Sequence, residues 1–62
     1  MNREDWKGFY CWLDTASLAE LNTRKGNIED LLETLRDPDV RGEARRMCRK
    51  IEEEILLRLF RP

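Results

Sequence analysis

The chain has 62 residues, 40% of them hydrophobic and 40% charged, with 12 basic side chains against 13 acidic ones and a formal net charge of −1. A chain this short makes one domain at most and buries only about 60% of its unfolded surface; its lone core supplies roughly 3 to 5 kcal/mol, and such chains commonly add disulfides, a metal or oligomerisation. The charge balance excludes a single-sign field that draws the whole molecule to nucleic acid, and the lack of histidine, with only Cys11 and Cys48 as thiols, excludes a four-ligand zinc site.

Residues 1–16 form a distinct aromatic segment. Trp6, Phe9, Tyr10 and Trp12 are four of the five aromatics in the chain. Trp6, Phe9/Tyr10 and Leu13 fit one face of a short helix with Asn2 as N-cap, while Phe9, Cys11 and Leu13 alternate as a strand would. With no second strand to pair with, the short helix is the expectation. Asp14 to Ser17 reads as a break.

Ser17-Leu-Ala-Glu20 has the form of a capping box, in which the Ser and Glu side chains satisfy orphan backbone donors. A helix is therefore predicted over 17–36. Leu18, Leu21, Lys25, Ile28, Leu32 and Leu35 recur in steps of three and four, an apolar stripe interrupted by Lys25. Gly26 costs about 1 kcal/mol relative to alanine inside a helix, so it is expected either to admit a close neighbour or to mark a bend.

Asp37-Pro38 ends that helix and starts the next, because the residue before proline is pushed out of helical conformation and proline suits the first helical position. The second long helix is predicted over 38–60, its stripe running through Val40, Ala44, Met47/Cys48, Ile51, Ile55 and Leu59. A connection of one or two residues implies antiparallel neighbours, with residues whose numbers sum to roughly 76 facing one another. In that register Glu29, Asp30 and Glu33 come level with Arg45, Arg46 and Arg49, and Arg24 and Lys25 with Glu52, Glu53 and Glu54. Each exposed pair contributes only about 0.2 to 1 kcal/mol, so the charges select alignment more than they stabilise it. An internal disulfide is not expected, since Cys48 lies mid-helix and Cys11 near the far end.

The expected architecture is all-α: an antiparallel helical hairpin preceded by the aromatic segment, pairing as a homodimeric four-helix bundle. Leu21, Ile28, Leu32, Met47, Ile51 and Ile55, together with Leu35, are the expected dimer core. No apolar stretch approaches the roughly 20 residues of a membrane span, and the acidic Met-Asn-Arg-Glu-Asp start lacks a signal-peptide pattern, which points to a soluble, cytoplasmic chain.

Two surfaces are candidates for function. Trp6, Phe9, Tyr10, Trp12 and Phe60 map to the open end of the hairpin and are the expected protein-binding anchors, since Trp and Tyr are enriched at binding hot spots. Arg41, Arg45 and Arg49, with Arg46 and Lys50, form a helix face that could follow phosphates, the alternative being a small nucleic-acid-binding regulator. Glu52 to Glu54 directly after would repel a phosphate backbone. Lys25 reads as a register-fixing or snorkelling residue and not a catalytic one, as no second acid or base converges on it. Ser17 and Cys48 lack a histidine base and the glutamates lack the histidines of a di-iron bundle, so neither an enzyme nor a cofactor is expected.

In size and helical design, residues 17–60 resemble the small helical-hairpin proteins encoded by bacteriophages and prophages, which dimerise and bind host regulators or enzymes. That resemblance implies an adaptor or inhibitor in the host cytoplasm, acting by occlusion on a protein such as a transcription factor or an ATPase.

Overall fold

A computed structural model describes residues 3–60, which form three helices: α1 (Arg3–Thr15), α2 (Leu18–Thr34) and α3 (Pro38–Phe60), with no strand among them. The proposed Asn2 cap lies outside the described residues. The aromatic segment is a full helix of 13 residues, and the expected break over Asp14 to Ser17 narrows to Ala16 and Ser17. The helical face wins over the alternating one because Phe9, Leu13 and Ala16, in steps of four and three, are all buried.

The capping box opens α2 as expected. The Glu20 N–H donates to Ser17 Oγ at 3.1 Å and the Ser17 N–H to Glu20 Oε1 at 3.3 Å. At the other end the helix stops at Thr34, two residues short of the expected boundary, and three residues make the link. Leu35 is extended (φ −71°, ψ 131°), although its N–H still donates to the Leu31 carbonyl at 2.9 Å. Asp37 then caps α3, its Oδ1 accepting from the Asp39 N–H at 2.9 Å and its carbonyl from the Arg41 N–H at 2.9 Å, with Pro38 at the first helical position.

α2 and α3 pack closely along most of their length. Lys25 lies beside Glu52 (3.6 Å) and its carbonyl faces the Cys48 thiol (3.9 Å), while the carbonyls of Leu32 and Leu35 meet Arg41. Moving forward along α2 is thus moving backward along α3. The molecule measures 40 × 25 × 15 Å, and 15 Å is little more than one helix diameter of about 10 to 12 Å. In so thin a body Leu21 and Ile51 alone among the described residues are sealed completely; Phe9, Leu13, Ala16, Ile28 and Cys48 complete the core, with Trp6, Trp12, Ala44, Met47 and Ile55 packed around it.

Two arginines of α3 close the structure. Arg58 Nη1 donates to the Ala16 carbonyl and Nη2 to the Leu13 carbonyl at 2.8 Å, while Nε pairs with Glu54 at 3.0 Å. Arg41 Nη1 donates to the carbonyls of Leu32 and Leu35, the latter at 2.8 Å. Each places a cation on unpaired carbonyls at a helix C-terminus, where the macrodipole is negative.

Gly26 does not admit a close neighbour. Nothing lies within 4 Å of where a Cβ would sit, and the same holds at Gly42; neither takes a positive φ. Gly26→Ala and Gly42→Ala should therefore each stabilise the chain by about 0.5 to 1 kcal/mol, raising the thermal midpoint by a few degrees in circular dichroism. Arg58→Ala, which removes charge-assisted bonds to two carbonyls, should cost about 1.5 to 3 kcal/mol in urea unfolding. A loss below about 0.5 kcal/mol would show that water satisfies those carbonyls equally well.

Candidate protein-interaction surface

The aromatic side chains of α1 do not act alike. Phe9 is buried (8% exposed), with Trp6 edge-on to it at 5.7 Å and 81°, and Trp12 stacked at 6.0 Å and 25°. Placing Phe9 among the exposed anchors is therefore corrected: it belongs to the buried core. Trp6 and Trp12 are half-buried around it, and the Trp12 ring also lies 5.0 Å from the Arg24 guanidinium carbon. Tyr10, 44% exposed and 5.9 Å from the Trp6 ring, is the member of this cluster that faces solvent.

Phe60 is 81% exposed and takes no part in the α1 ring cluster. Its neighbours are Leu56 and Leu57, which with Glu53 line a shallow depression on the outside of α3, and Leu59 is exposed beside them. The anchor set thus divides in two: a Trp6/Tyr10 edge on α1 and an apolar end on α3. Leu56 and Leu57 belong to the apolar run over 55–60, which is too broad for one stripe, and they join Phe60 at this end.

The expected dimer core also divides. Leu21 and Ile51 are fully enclosed within one chain, so these two cannot form the face of a dimer; Ile28 is 6% exposed, and Leu32, Met47 and Ile55 are partly buried. The correction has a simple cause, since the contact of α2 with α3, together with Phe9, Leu13 and Ala16 in the same cluster, already encloses them within one chain. What α1 leaves open is the turn end of the α2–α3 cleft, a groove of about 480 Å³ lined by Ile28, Leu31, Leu35, Val40, Ala44 and Met47 and rimmed by Arg24, Asn27 and Glu43. Leu31 is 54% exposed there. At 1.5 Å per residue α1 is about 20 Å long against about 35 Å for α3, so it is too short to cover the whole cleft.

Of the arginines proposed for phosphate contact, Arg41 is committed to the α2 carbonyls and leaves the set. Arg45, Arg46 and Arg49 are exposed and make no hydrogen bond or ion pair with another described residue. The expected pairing of these arginines with Glu29, Asp30 and Glu33 is therefore not formed, whereas Lys25 does pair with Glu52, and with Glu29 at 2.7 Å. Arginines that lie level with carboxylates across two helices still point outward when they sit on the far side of the wheel. No described helix is long and apolar enough to cross a membrane.

Cys11 is exposed and Cys48 buried, and both are free. Burial pushes the Cys48 thiol above its ordinary value, helped by Glu29 and Glu52; hydrogen bonding and charge from Glu29 raise Lys25. Both groups titrate higher when folded, so their contribution is complete below the ordinary thiol value of 9.0 and is lost as pH rises through the raised folded-state values. Thermal stability should accordingly fall on the alkaline side of that value, and Cys11 should be alkylated well before Cys48 at neutral pH. Equal rates of labelling would show that the α2–α3 contact opens readily. Comparison with protein-family models, with curated proteins and with solved structures finds no match to this chain.

Proposed function

We propose that this chain is a non-enzymatic protein-binding adaptor or inhibitor, in which α2 and α3 act as an antiparallel helical hairpin that pairs with a second copy and blocks or redirects a regulatory protein. The observation that carries this reading is apolar surface outside a sealed core. Leu56, Leu57, Leu59 and Phe60 are each more than half exposed at one end of α3, in a chain with 40% charged residues available to cover its surface. Exposed apolar side chains scattered singly need no explanation, but a contiguous group marks an interaction site. Tyr10, rigid and amphipathic, offers a second, separate contact on the edge of α1.

The groove of Leu31, Leu35, Val40 and Met47 is where a second copy would join, because its side chains are apolar and partly open while Leu21 and Ile51 are already enclosed. The resemblance to phage-encoded helical proteins supports a host regulator, such as a transcription factor or an ATPase, as the protein engaged, and the host cytoplasm as the compartment. The mechanism is steric: the apolar end of α3 fills a pocket that the target's own ligand or partner needs.

Tyr10→Ala combined with Phe60→Ala tests the reading, since both side chains are exposed and their loss should leave helicity unchanged. A tagged wild-type chain should retain a stoichiometric protein from nuclease-treated bacterial lysate, and the double variant should lose it. Retention of the same protein by the variant, or recovery of nucleic acid in place of protein when nuclease is omitted, would overturn it. Leu31→Glu with Val40→Glu should halve the mass measured by light scattering if the groove joins two copies.

A further inference from the structure

We propose that the outward face of α3 docks one amphipathic helix of another protein, a helix that is acidic along one half and apolar along the other. This deepens the protein-binding reading and rests on it. Arg46, Arg49, Glu53, Leu56 and Phe60 recur in steps of three and four, with Arg45, Lys50 and Leu57 beside them, so one face carries cations over its first half and apolar side chains over its second. The buried Cys48 and Ile51, and the core-packing Ala44, Met47 and Ile55, all lie elsewhere on the wheel. The face is thus not consumed by the fold.

The cations on it are available. Arg41 and Arg58 are spent on carbonyls, but Arg45, Arg46 and Arg49 have no ionic partner among the described residues, and Lys50 has only Glu53 at 3.6 Å. From Arg45 to Phe60 the face runs 16 residues, about 24 Å at 1.5 Å each, the span of a four- to five-turn helix. A helix laid along it gains charge complementarity over the first half and apolar burial over the second.

Other occupants fit less well. A second copy presenting the same face sets arginines on arginines if parallel, and arginines on leucines if antiparallel. A second copy presenting α2 would bring Glu29, Asp30 and Glu33 to the arginines, but that helix continues into Asn22, Thr23 and Gly26, leaving Leu57 and Phe60 against polar groups. A nucleic-acid backbone running past the arginines meets Glu52 and Glu53, both exposed. A lipid surface requires an apolar stripe along the helix, and here the apolar residues occupy one end only.

The test uses the full chain and two synthetic helical peptides, one with four glutamates preceding a leucine-rich half and one with the order reversed, since helices pack in either direction. At least one should bind in fluorescence anisotropy, and Arg45→Glu/Arg46→Glu/Arg49→Glu should weaken it at least about tenfold, with binding also falling as salt rises. The Arg→Gln triple variant, which removes the charge without reversing it and keeps a polar side chain, should weaken it in the same direction, and Leu57→Ala/Phe60→Ala should do so without changing the salt slope. Failure of both peptides to bind better than lysine-for-glutamate controls would overturn the proposal. So would unchanged binding by the arginine variants, or tighter binding to duplex DNA or anionic vesicles than to either peptide. If the arginine variants still capture the cellular partner that the Tyr10/Phe60 variant loses, this inference falls while the adaptor reading stands.

Discussion

Everything else in this molecule depends on two arginines of α3 that terminate the two helices before it. A helix C-terminus leaves carbonyls without intrahelical donors, and a body only 15 Å thick has little interior in which to hide them. Arg58 binds the carbonyls of Leu13 and Ala16, at the junction of α1 and α2, and Arg41 binds those of Leu32 and Leu35, at the junction of α2 and α3. One helix thereby contacts both helix junctions. The guanidinium suits this role because it is always charged and presents several donors in one plane. Glu54 holds the Arg58 fork from one turn away at 3.0 Å, limiting the rotamer freedom lost on bonding.

Between the two clamps the core is small and layered. α2 and α3 meet along Leu21, Ile28, Cys48 and Ile51, and α1 adds Phe9 and Leu13 across one end. The polar contacts at this contact line set register more than stability. Lys25 reaches Glu29 on its own helix and Glu52 on the next, keeping its ammonium at the surface while its stem lies on the apolar stripe. No described buried side chain is left without a hydrogen-bond partner, as expected for a chain that has so little burial to offset the cost of one.

The same thinness decides where function can reside. A three-helix body of this size encloses its central residues and leaves the remaining apolar side chains outside, grouped by where α1 happens to end. One group is the open turn end of the cleft, around Leu31 and Val40; the other is the C-terminal half of α3, around Leu57 and Phe60. Their separation means that self-association and partner binding need not compete for one surface. The proposed binding scaffold would use these two faces.

The sequence by itself determined the local elements. Ser17 with Glu20, and Asp37 with Pro38, are short-range signals whose hydrogen bonds span two to four residues, and the structure contains both as read. The three- and four-residue spacing outlined the inward stripes of α2 and α3, of which Leu18, Val40 and Leu59 are nonetheless exposed, and it left the aromatic segment open between helix and strand. Tertiary structure alone decided which apolar residues are enclosed, because that depends on where the three helices meet. It also decided the fate of the arginines. Arg41, Arg45, Arg49 and Arg58 look alike in the chain, yet two bind carbonyls, 42 and 45 residues away along the chain in the case of Arg58, and two face solvent. A long side chain's partner is set by what the fold carries within its reach, and no spacing along the chain encodes that distance.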